Sequence, residues 1–90
     1  MADDMRSPSS RAMMLETLRV LLQRCPQKKR IAHGVSEGLT NRQIGDRLGR
    51  SEHTVHTLLS QIYRKAGVQG RVLLGVLVSE LDGGRLGRHD

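Results

Sequence analysis

Two short amphipathic runs, each capped at its start and closed by a glycine, constrain this chain more than any other feature. Thr40 followed three residues later by Gln43 forms a capping box, so a helix starts at Asn41. Ile44 and Leu48 give it one apolar stripe. Gly49 ends it, because glycine enters the left-handed conformation just past a helix without a Cβ penalty. Ser51 can cap a second helix, with Glu52 in its first turn, where the helix dipole favours an acid. Val55, Leu59, Ile62 and Ala66 then recur at steps of four, three and four, one side of a helix that Gly67 closes. The opposite side carries His53, His56, Thr57, Ser60 and Arg64, a polar and partly basic face for solvent or a partner. A short helix, a tight glycine turn and a longer helix with a polar outer face form the helix-turn-helix pattern.

The flanks read as further helices. The chain has 90 residues, 37% of them hydrophobic, with one Tyr and no Phe or Trp, so its core must be aliphatic. That suits a compact all-α unit better than a sheet. Residues 1–9 are expected to be a disordered tail and 10–82 a single domain. A helix over 10–25 carries Met14, Leu18, Leu21 or Leu22, and Cys25 on one stripe. It either enlarges a thin core or contacts a second subunit or another protein. Pro26 opens the next helix, 26–38, with Ile31, Ala32 and Val35 apolar. The last helix, 70–82, is apolar around nearly its whole circumference. Because a small domain buries only one side, its surplus of Val72, Leu73, Val76, Leu77 and Leu81 suggests a twin subunit. Residues 83–90 read as a flexible tail. No apolar run is long enough to span a membrane, and the start lacks a signal-peptide pattern, so the expected location is the cytoplasm.

Charge placement points to a partner. Residues 24–71 hold ten Lys and Arg against three acids, a balance of +7, while the flanks hold five against six, a balance of −1; together they give the chain's +6. A basic middle is the footprint of phosphate contact, although a solvated basic surface has the same composition. Its coincidence with the helix-turn-helix favours nucleic acid.

The stretch EGLTNRQIGDRLGRSEHTVHTLLSQIYRKAGV, residues 37–68, resembles the LuxR/FixJ-type (GerE-like) DNA-binding domain. The matching positions include Glu37, Gly38, Leu39, Asn41, Ile44, Leu48, Gly49, Ser51, Glu52, Thr54, Val55, Arg64, Lys65 and Gly67. The resemblance implies four helices, with the N-terminal helix as an addition, and double-stranded DNA as the partner of a homodimer joined through its last helix. It places base reading on His56, Thr57 and Ser60. Backbone contacts fall on Asn41, Arg42, His53, Thr54, Arg64 and Lys65, and the Lys28 and Lys29 cluster either joins them or is a solvated face. Nothing resembles a receiver or autoinducer-binding domain, so a stand-alone member is expected.

Several positions depart from the family. Cys25, Pro26, Gln27 and Lys28 stand where Thr-Pro-x-Glu is usual, so both capping side chains are missing. Lys28, Lys29 and Arg30 also put three positive charges in a first turn, against the dipole. His56 replaces a usual Lys, exchanging a permanent charge for an imidazole, and Leu58 replaces a usual His, as either extra packing or an apolar patch. Gly70 stands in for a capping Ser.

The expected function is therefore a bacterial transcriptional regulator with the 52–66 helix in the major groove. The alternative is an adaptor that binds RNA polymerase, a sigma factor or another regulator, with weak DNA binding alone. No catalytic set, metal site or cofactor motif is read. His53 and His56 lie one turn apart but lack further ligands nearby in sequence. Cys25 is the sole cysteine, so it is either a small buried hydrophobe or a redox or intersubunit thiol.

Overall fold

The computed structural model describes residues 8–83, which form five helices and no strand among the described residues. They are α1 (Pro8–Arg24), α2 (Pro26–Ser36), α3 (Asn41–Leu48), α4 (Glu52–Ala66) and α5 (Arg71–Leu81). The all-α architecture matches the sequence reading, and the bounds of α3 and α4 are those their caps dictate. Helix α1 starts at Pro8, inside the expected tail; proline fits a first helical position because the N–H it lacks has no partner there. Residues 1–7 and 84–90, which carry the rest of both expected tails, lie outside the described residues.

Helix α2 ends two residues earlier than its composition suggests. The Leu39 N–H donates to the Gly34 carbonyl at 3.0 Å and the Gly38 N–H to the Val35 carbonyl at 3.0 Å. Gly38 sits at φ +85, so this is a Schellman stop that turns the chain toward α3. Its start is as poor as expected: no side chain caps it at Cys25, and its first turn holds no acid.

Packing compensates. Leu18, Ile31, Val55, Ile62, Leu74 and Leu77 are fully buried, and they come from α1, α2, α4 and α5. Helix α4 runs through the centre, touching α1, α2 and α3, while α2 makes its broadest contact with α5. Helix α1 thus lies on its own domain, placing Leu18 and Leu22 in the core with Met14, Leu15 and Leu21 partly covered. Leu58 and Tyr63 also pack at the core's edge. Gly34 lets α2 and α3 close up: a Cβ there would lie 2.8 Å from Ile44 Cγ1.

One expectation on α5 is corrected. Leu77 is fully buried in its own chain, because Leu74, Leu77 and Val78 share the inward stripe; it is not on an outer face available to a second subunit. Leu73 and Leu81 are half-buried against the same core, which leaves Val72, 83% exposed, and Val76, 45% exposed, facing outward. Leu77→Ala should therefore cost about 2–5 kcal/mol of stability in urea unfolding, while Val72→Ala should stay within about 0.5 kcal/mol.

Candidate nucleic-acid interface

The candidate surface is built around one turn. Gly49 adopts φ +72 after α3, and the Arg50 N–H reaches back to the Gly45 carbonyl at 2.8 Å. A Cβ on Gly45 would stand 2.5 Å from the Arg50 carbonyl oxygen, so the turn folds directly onto the backbone of α3. Ser51 then caps α4: its Oγ accepts from the Thr54 N–H at 3.0 Å, and its hydroxyl lies 3.0 Å from Thr54 Oγ1. The angle between the helices follows from these contacts and from the burial of Ile44, Val55 and Leu59 between them.

With that inner face buried, α4 presents His53, His56 and Thr57 to solvent, with Ser60 half-buried beside them and Arg64 and Lys65 exposed at its far end. At about 1.5 Å rise per residue, His53 to Ser60 spans roughly 10 Å, a contiguous strip on one helix. The side chains can donate and accept hydrogen bonds along it, and cations flank its C-terminal end.

A second set of donors sits at the start of α3. Thr40 Oγ1 accepts from the Gln43 N–H at 3.1 Å, and Gln43 Oε1 accepts from the Thr40 N–H at 2.9 Å, completing the capping box. The N–H groups of Asn41 and Arg42 belong to the first turn, which has no intrahelical acceptors, so they suit an anion. Arg42 is exposed and Asn41 half-buried. The Arg71 guanidinium donates to Asn41 Oδ1 at 2.7 Å and to the Leu39 carbonyl at 2.5 Å.

On α2, Lys28 is half-buried and Lys29 exposed. Lys29 lines an open groove of about 610 Å³ with Pro26, Arg30, His33, Arg47 and Leu48, at the C-terminal end of α3 rather than beside Asn41. Gln27, in the amide orientation that satisfies both partners, accepts from Arg50 Nε at 2.6 Å and so ties the start of α2 to the turn. Arg47 pairs with Glu37 at 3.0 Å. The sequence reading missed the structural parts played by Gly45, Arg50 and Arg71. Gly45, a glycine inside a helical stripe, was the signal for close backbone approach; nothing in the spacing announced Arg71.

Among the described residues, no group of three or more His, Cys, Asp or Glu is placed to hold a metal ion, and no helix is long and apolar enough to cross a membrane.

The sequence profile described as bacterial regulatory proteins, luxR family, matches residues 26–78, more than half of the chain. The chain belongs to that family. The luxR match takes in α2, α3, α4 and most of α5, and leaves α1 upstream of it. A DNA-binding transcriptional activator, DevR/DosR of Mycobacterium tuberculosis, is 38% identical over 55 residues, which cover 61% of this chain and 25% of that protein. A candidate HTH-type transcriptional regulator of Mycobacterium bovis, Mb0914c, is 43% identical over 49 residues, covering 54% of this chain and 6% of that protein. The chain therefore matches a quarter or less of the length of these relatives. Comparison with solved structures gives no significant match.

Gly45→Val should cost about 1–3 kcal/mol in thermal or urea unfolding, because a branched side chain cannot share the space of the Arg50 carbonyl.

Proposed function

We propose that this chain binds double-stranded DNA to regulate bacterial transcription, acting as a homodimer with α4 in the major groove of each half-site. The observation that carries the reading is the α4 strip: His56, Thr57 and Ser60 stand on the one side of a rigid, capped helix that the core leaves uncovered. An α-helix fits the major groove, where each base pair shows a distinct pattern of donors and acceptors. His56 can donate or accept at a purine edge, Thr57 offers a methyl to thymine, and Ser60 can bond to a base or a phosphate.

Thr54, Arg64 and Lys65 on α4, with Asn41 and Arg42 at the start of α3, contact the sugar-phosphate backbone in this reading. Such contacts set register and affinity without reading sequence. His53, at the exposed first turn of α4, lies within reach of the same backbone. Lys28 and Lys29 act as an outlying basic patch that adds attraction at longer range.

The outward Val72 and Val76 on α5 support self-association through that helix, and a two-fold dimer would place two α4 helices on half-sites related by the same axis. The adaptor reading rests on the same exposed valines. It differs in requiring a partner protein before DNA is bound tightly.

Selection from random duplexes followed by binding measurements tests the assignment. His56→Ala or Thr57→Ala should relax preference at one base pair by about 1–3 kcal/mol. Lys65→Ala should weaken binding to all sequences and lower the salt slope by about one. Binding that depends on an added protein, or is indifferent to all three changes, would count against this assignment.

A further inference from the structure

In the proposed complex the first-turn N–H groups of α3 and the side chain of Asn41 face a phosphate of the DNA backbone. Nothing within α3 holds that side chain, since Thr40 and Gln43 are engaged with each other. The hold comes from 30 residues away: Arg71, the first residue of α5, donates to Asn41 Oδ1 at 2.7 Å. A carboxamide has one acceptor oxygen and one donor NH2 group. With the oxygen facing a guanidinium, the NH2 is turned the other way and left free to donate. The flipped amide would set donor against donor, so Arg71 selects one of the two orientations. Its second bond, to the Leu39 carbonyl at 2.5 Å, fixes the guanidinium plane, and the pair is partly buried, where a charge-assisted bond is firm.

We propose that Arg71 is a positioning residue for DNA binding: it latches the Asn41 amide so that its Nδ2 hydrogens face the phosphate backbone. The proposal rests on the reading of α3 and α4 as the DNA-contacting helices. It also accounts for arginine at this place, since a lysine ammonium is a point donor and cannot span both acceptors as a rigid fork. Because Val72 follows directly on the outer face of α5, the latch joins the proposed dimer helix to the proposed phosphate contact.

The test combines a double-mutant cycle with a readout on the free protein. Arg71→Met should weaken binding to a selected duplex about tenfold in the native background and cause no further loss in an Asn41→Ala background. Arg71→Lys keeps the charge and should recover little of the loss. In the free chain, the Asn41 side-chain NH2 signals in nuclear magnetic resonance should move toward those of an unrestrained amide in both Arg71 variants. Equal losses in the two backgrounds, full recovery by Arg71→Lys, or Asn41 signals that ignore Arg71 would each overturn the latch. If Arg71→Met does not fold, Arg71→Lys carries the same comparison. A native chain that binds no duplex at any salt would instead sink the DNA reading itself, and the latch with it.

Discussion

The contact on which the structure depends is the backbone closure between Gly45 and Arg50. The carbonyl and the N–H that meet at 2.8 Å are five positions apart in the chain, and a single Cβ at Gly45 would obstruct the return of the chain. That closure leaves the entry to α4 little freedom. Once its direction is set, the stripe of Val55, Leu59 and Ile62 turns inward and the polar strip turns outward by helix geometry alone. The proposed reading face is thus a consequence of a turn that touches no ligand. The poorly capped start of α2 is tolerable in the same scheme, because Ile31, Ala32 and Val35 are held from several sides.

Charge and hydrogen-bonding capacity are separated in space. The middle of α4's outer face carries imidazole and hydroxyl groups, whereas guanidinium and ammonium groups stand at its end, at the start of α3 and along α2. In the proposed complex this division assigns affinity to the periphery and discrimination to the centre. Imidazole and hydroxyl groups pointed at base edges discriminate through hydrogen-bond geometry, whereas a lysine or arginine is drawn to any phosphate.

The parts of the fold legible in the sequence are those whose signals are local. Thr40 with Gln43 and Gly49, and Ser51 with Gly67, mark α3 and α4 residue by residue, because a cap and its helix lie within one turn of each other. Features that depend on partners far along the chain were not legible. Arg71 bonds to a residue 30 positions away, and Arg11 reaches Glu80, pairings that no spacing rule encodes. Leu77 was misassigned for an intermediate reason. A helix apolar on nearly all sides leaves its inward face to be chosen by its neighbours, and α2 chose the stripe of Leu74, Leu77 and Val78. The polar strip on α4 faces away from the core as the spacing implies, because it is simply the complement of the core stripe. Where Lys29 lies, beside Arg47 and Leu48, was not legible, since its position depends on how α2 crosses α3.

The central claim is that the exposed strip of α4, with the start of α3, is the surface that meets DNA. The most direct measurement is cross-saturation from a selected duplex to the amides of the labelled chain. The account predicts attenuation concentrated at residues 53–65 and 40–42, with α1 and the outer face of α5 unaffected. Attenuation centred on α1 or α5, or spread evenly over the basic residues, would contradict it.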